Sequence, residues 1–222
     1  MQLESVMMPA DAREQMIEQQ VRAWDVLDAR VLDTFRQVPR EAFTPPQHRF
    51  LAYADSEVPL PGGQHMLRPS VVGRLLQALN VTERDRVLEI GAGSGFITAC
   101  LRTLGKSVQS LEIVPELADM ARRAVGQQGL RDIDIVRTDA LTFNPTGRFD
   151  AIAVTGSLPE YDERWQRSLA IGGRLFVVVG SAPVMEARLV RRVAEEAWTE
   201  ESLFETVIDP LVHAERPVHF VF

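Results

Sequence analysis

Cysteine is nearly missing from this chain: Cys100 stands alone among 222 residues. An internal disulfide is therefore excluded, and a lone thiol suits a reducing compartment, so a cytoplasmic protein is expected. Long apolar runs are missing too. The longest, Leu175–Val179, falls far short of the roughly 20 residues that cross a bilayer as a helix, and it reads as a buried strand. Residues 1–15 hold no basic stretch ahead of an apolar core, so no secretion signal is read there and no membrane is expected among the partners. Positive charge is in deficit, with 24 Lys+Arg against 31 Asp+Glu and a net charge of −7, which argues against a nucleic-acid partner. The one basic cluster, Arg188, Arg191 and Arg192, runs straight into Glu195 and Glu196 and reads as a solvated face. His48 has no acidic or thiol partner at ligand spacing, and His213 and His219 are too scattered in the tail, so no metal site is expected.

What is present suits a globular domain. Hydrophobic residues make up 45% and charged residues 25%, a balance that leaves disorder only to the ends. The length fits one domain with a small extension, read as an N-terminal part (residues 1–80) packed on a core (residues 81–222). Met16, Ile17, Val21 and Trp24 recur at near-helical spacing. Asp28 sits where it can cap a second helix carrying Val31, Leu32 and Phe35, and Pro39 stops that helix. Residues 39–68 are rich in Pro and Gly and read as an ordered loop anchored by Phe43, Phe50, Leu51 and Tyr53; a loop of that length is usually functional. Pro69 opens a helix to Leu79.

From residue 86 a regular alternation begins. Strands at 86–90, 108–112, 133–137, 149–154 and 174–179 alternate with helices near 94–104, 115–128 and 159–169. This predicts an α/β fold with a parallel sheet, helices on both faces and right-handed crossovers. Residues 185–194 and 201–208 read as an antiparallel pair, with a helix over 185–196 as the alternative. Val218–Phe222 reads as a short edge strand. Trp24, Trp165, Trp198 and Cys100 read as packing residues, with Trp198 near the substrate groove.

The strongest chemical signal is the run from Val87 to Gly95, an apolar strand entering G-x-G-x-G and then a helix. Glycines let the backbone turn tightly against a ligand, and a helix N-terminus offers free N–H groups to an anion such as a methionine carboxylate. A glycine turn alone is weak evidence. Two acidic residues strengthen it: Glu112 ends the next strand, where it can bind ribose hydroxyls, and Asp139 follows the third, within reach of an adenine amino group. The order E-x-G-x-G-x-G points to S-adenosylmethionine rather than a dinucleotide.

Upstream lie Val38-Pro39-Arg40-Glu41-Ala42-Phe43, Ala52-Tyr53-Ala54-Asp55, Val58-Pro59-Leu60 and Gly63-Gln64. With the ungapped spacing from Ala52 to Pro69, these resemble the N-terminal region of the protein-L-isoaspartate O-methyltransferases. The resemblance runs over about residues 14–212. It implies a Rossmann-like class I methyltransferase sheet, S-adenosylmethionine as methyl donor and S-adenosylhomocysteine as product. The implied partner is a protein or peptide with an isoaspartyl carboxylate, whose methyl ester collapses to a succinimide. Carried onto this chain, the cofactor contacts fall on Met66, Leu67, Gly91, Ala92, Gly93, Gly95, Glu112, Ile113, Asp139, Ala140 and Thr155.

One departure bears on catalysis. Where the family reads G-Q-T-I-S-x-P, this chain reads Gly63-Gln64-His65-Met66-Leu67-Arg68-Pro69, so Leu67 holds the family's serine position and His65 its threonine position. His65 and Arg68 are the candidate catalytic donors in its place, and Ser70, Thr155, Gly156 and Ser157 are further candidates for the cleft. Three readings stand: an isoaspartyl O-methyltransferase, a methyltransferase of the same build with another carboxylate acceptor, and a cofactor-binding protein with little turnover.

Overall fold

The computed structural model describes residues 9–214. Helix α1 (Pro9–Met16) runs through a π turn (Ile17–Val21) into a 3-10 turn (Arg22–Trp24), and Asp25 ends it in a left-handed conformation at φ 59°. Asp28 caps α2 (Ala29–Gln37) as its carboxylate accepts from the Arg30 N–H at 2.9 Å. Next come α3 (Arg40–Phe43), a 3-10 turn (Pro46–Leu51) and a small antiparallel ladder of β1 (Val58–Pro59) with β2 (His65–Met66). Phe43 is fully buried and Leu51 packs on the core. Phe50 does not anchor the loop: the 3-10 turn carries its ring outward, leaving it 79% exposed.

Helix α4 (Pro69–Leu79) leads into the alternating core. Strand β3 (Arg86–Ile90) is followed by α5 (Phe96–Leu104), β4 (Ser107–Glu112), α6 (Pro115–Gln127), β5 (Ile133–Arg137) and β6 (Phe149–Leu158). The short α7 (Arg164–Arg167) precedes β7 (Leu169–Ser181), β8 (Val184–Ala194) and β9 (Ala197–Glu205). The expected helix over 159–169 shrinks to one turn because the flanking strands extend to Leu158 and from Leu169. The tail resolves as an antiparallel pair, its second strand starting four residues before the expected 201 and ending at Glu205: Met185, Ala187 and Leu189 alternate inward with period two, which no helix from 185 to 196 would satisfy. The suggested strand over 218–222 and His219 lie outside the described residues.

The sheet order is β5-β4-β3-β6-β7-β8-β9, parallel up to β7 and antiparallel beyond it. Between β3 and β6 the direction of winding reverses. The long helices therefore share one face with Val87, Val108, Ala151 and Phe176, while α7 and its buried Trp165 cover Leu88, Ile152 and Val177 on the other. The N-terminal helices belong to the first of these cores, with Met16, Ile17, Val21 and Phe35 buried in it. Arg192 is not solvated. It is 5% exposed, lies over the Trp198 ring at 5.5 Å and donates to the Leu169 carbonyl at 2.7 Å.

Arg174 ties the two halves together. It donates to the Leu79, Asn80 and Asp150 carbonyls and to the Asp85 carboxylate at 2.6 Å. Arg174→Met should cost about 3 kcal/mol near pH 7 in denaturant titrations, because it strands a buried carboxylate. Burial raises the Asp85 pKa, but bonds from Arg174 and Thr82 outweigh it and hold the group below its ordinary value. A carboxyl lowered on folding stabilises above its unfolded pKa of about 3.9 and loses that contribution as pH falls through the folded value. The gap between wild type and variant should narrow below about pH 4, and a gap unchanged from pH 7 to 3 would contradict this role.

Candidate active site

The reversal of winding opens a crevice at the carboxyl ends of β3 and β6, where open α/β sheets bind ligands. The glycine turn after β3 is built by close approach. Gly91 and Ala92 donate to the Leu111 carbonyl at 2.8 and 3.2 Å, tying the turn to β4. Gly91 has φ +95°, and a Cβ there would lie 2.5 Å from the Thr155 hydroxyl. That hydroxyl sits 2.6 Å from the Gly91 carbonyl and 2.9 Å from that of Ile90, so Thr155 clamps the turn with its own polar atom.

Glu112, at the tip of β4, completes the clamp. One carboxylate oxygen accepts from the Gly93 N–H at 2.8 Å and the other from the Val114 N–H at 2.9 Å. Each oxygen keeps a second acceptor position. Asp139, beyond the tip of β5, accepts from the Leu141 N–H at 2.9 Å and from the His213 ring at 2.9 Å. Desolvation raises its pKa, but these two partners and Arg164 hold it below the usual carboxylate range.

A cavity of about 820 Å³, counted with its open mouth, lies over these strand tips. Gly91, Ala92, Gly93, Glu112, Ile113, Asp139, Ala140 and Thr155 line it on the sheet side, and His65, Met66 and Leu67 line the opposite wall. Leu67 is buried, and its backbone carbonyl is held by Arg40 at 2.8 Å. His65 Nδ1 lies 2.8 Å from the Asp209 carboxylate, so the neutral ring presents its other nitrogen as an acceptor and the charged ring presents it as a donor. Asp209 reaches this point because its segment runs beside the end of β6: Ser157 donates to the Asp209 carbonyl and Leu211 donates to that of Ser157. Gly156 permits the approach, since a Cβ there would meet Leu211 at 2.8 Å.

Five candidates lie elsewhere. Gly95 is off the cavity: its φ of +86° and the Ala121 backbone, 3.0 Å from a would-be Cβ, make it the contact between α5 and α6. Arg68 is off the cavity too, pointing to Glu57 at 3.8 Å. Ser70 donates to Asp55 at 2.7 Å, and Ser157 is buried against the Ile208 carbonyl. Trp198 lies away from the cavity, bonded to Gln166. Sequence reasoning missed Arg40, Gln64, Leu211 and Val212 in the cavity wall, and Asp209 behind it. Leu211 carried a signal, because Pro210-Leu211 falls in the family's order; Asp209 carried none.

A parallel sheet whose order reverses over a glycine turn, with carboxylates at the next two strand tips, defines a Rossmann-like methyltransferase. The family model described as protein-L-isoaspartate(D-aspartate) O-methyltransferase matches residues 11–216, and the chain belongs to that family. It is similar to protein-L-isoaspartate O-methyltransferase 2 of Pelobacter propionicus, 38% identical over 91% of each chain. It is also 39% identical to protein-L-isoaspartate O-methyltransferase of Rhodopseudomonas palustris over 90% of this chain and 93% of that one. Among solved structures, a Plasmodium falciparum protein crystallised with S-adenosyl-L-homocysteine shares the fold, with a TM-score of 0.79 and 20% identity over 90% of this chain and 97% of that one. The chain is a methyltransferase dependent on S-adenosylmethionine, and the residues present fit that group. Among the described residues, Glu112 keeps free acceptor positions for a diol, a Cβ on Gly93 would meet only Leu60 at 3.5 Å, and two buried Arg40 donors have no partner. Among the described residues, no helix is long and apolar enough to cross a membrane and no cluster suits a metal.

Glu89, the first residue of the glycine motif, lies beneath the turn and not on the cavity. Thr98 and Ser110 donate to one of its oxygens at 2.5 and 2.6 Å, and the other has no partner among the described residues. Burial pushes its pKa up to about 8 against the pull of those bonds, so the carboxyl is mostly protonated at pH 7. A carboxyl raised on folding contributes fully below its unfolded pKa of about 4.3, and the contribution is lost as pH rises toward 8. Relative to wild type, Glu89→Gln should gain more than about 1 kcal/mol between pH 5 and 8. Parallel stability curves over that range would rule out a neutral Glu89.

Proposed function

We propose that the enzyme methylates the carboxylate of isoaspartyl residues in proteins or peptides, with His65 in place of the family's hydroxyl. The observation that carries this reading is the placement of the family-specific loop. It forms the cavity wall opposite the strand tips, with Leu67 in the wall and His65 beside it, braced by Asp209. On this reading residues 1–80 act as the cover over the donor, and residues 81–222 as the core that binds it. Glu112 holds the ribose hydroxyls, Asp139 and Ala140 border the adenine, and the Gly91–Gly93 turn takes the amino-acid portion beside Met66 and Ile113.

S-adenosylmethionine, when bound, supplies an electrophilic methyl group. An acceptor carboxylate is already ionised near neutral pH, so the protein has no proton to remove. Its work is alignment and exclusion of water, which the apolar wall of Met66 and Leu67 favours. The His65 ring, when charged, donates to the carboxylate and orients it for in-line attack, with Asp209 fixing the ring. A leucine at position 67 removes a donor, and a single positioning donor contributes about 10²–10³ in rate.

Transfer of labelled methyl to an isoaspartyl peptide, but not to its aspartyl counterpart, is expected. Leu67→Ser should raise that activity about tenfold or more, while His65→Ala should lower kcat/KM about 10- to 100-fold. Transfer to another acidic acceptor alone would replace the acceptor in this reading. Donor binding without transfer to any acidic peptide would leave a cofactor-binding protein.

A further inference from the structure

Arg40 opens α3 and is 1% exposed. Its guanidinium lies over the Phe96 ring at 4.9 Å, next to the start of α5, and it lines the cavity. One terminal nitrogen donates to the Leu67 carbonyl at 2.8 Å, while Nε and Nη1 have no partner among the described residues. Burial lowers its pKa to about 10, which leaves it charged at pH 7. Among the described residues no carboxylate bonds it: Asp55 acts on it only at a distance and spends its hydrogen bonds on Ser70, and burial pushes the Cys100 thiol up so that it stays uncharged. A buried cation with two open donors beside a ligand cavity is costly unless an anion arrives to meet it.

We propose that Arg40 binds a carboxylate that enters the cavity with a ligand, through a charge-assisted hydrogen bond from Nε, one of the donors that the Leu67 contact leaves open. Two sources carry that group: the methionine portion of the donor, and the acceptor side chain. The first rests on the family's cofactor, and the second on the isoaspartyl reading above.

The test uses the intact, ¹⁵N-labelled protein, with the Arg40 Nε–Hε signal assigned by its loss in Arg40→Lys. The Gly93 amide reports occupancy in every titration. S-adenosylhomocysteine, its decarboxylated analogue, and an isoaspartyl peptide added on top of the analogue are compared. A downfield Arg40 shift with S-adenosylhomocysteine but not with the analogue assigns the donor carboxylate. A shift only on adding the peptide assigns the acceptor. In the first case Arg40→Met weakens S-adenosylhomocysteine about 10- to 100-fold and leaves the analogue unchanged; in the second it raises the KM for peptide at unchanged donor affinity. Saturation of the Gly93 signal by all three ligands with no Arg40 response, or an equal response to the analogue, overturns the proposal. Because Gly93 reports binding separately, a failure of the cofactor reading is distinguishable from a failure of the Arg40 assignment.

Discussion

The carboxylate of Glu112 spans two backbone N–H groups, Gly93 on the turn after β3 and Val114 at the start of the α6 segment. Charged acceptors bonded to backbone amides form strong contacts, and this one is nearly buried, so water competes weakly. The glycine turn is thereby pinned to the tip of the neighbouring strand before any ligand arrives. Thr155 pins it from the other side through the Gly91 carbonyl. A preformed turn spares the ligand the cost of ordering the loop.

The roof over the turn is assembled from segments far apart in the chain. The 58–69 loop and the 208–214 segment meet through His65 and Asp209, and the latter segment reaches the β5 loop through His213 and Asp139. Both contacts involve partly exposed side chains, and such pairs contribute little to stability. Their effect is positional: they set Leu211 and Val212 against the cavity while Gly156 lets the chains close up. Stability comes instead from the two apolar cores either side of the sheet.

The elements most legible in the sequence were those whose signals are local. The period-two strands, the Asp28 cap, Pro69 at a helix start and the glycine turn each depend on residues a few positions apart, and they stand where expected. Phe50 and Arg192 misled because residue type speaks for average burial, while a 3-10 turn and a hairpin register decided these two cases. Gly95 and Arg68 belong to the right motifs but face the neighbouring helix and Glu57. Arg40 as a cavity residue and Asp209 behind the wall were illegible, since one acts across 27 positions and the other across 144.

The central claim is that the clamped turn and Glu112 hold the nucleoside across the strand tips. Calorimetry with S-adenosylhomocysteine on the metal-free protein tests it most directly. A single site of roughly micromolar affinity is expected, weakened at least about tenfold in Glu112→Ala, in line with lost hydrogen bonds to a charged group. Absence of heat at millimolar ligand, or an affinity untouched by Glu112→Ala, would contradict it.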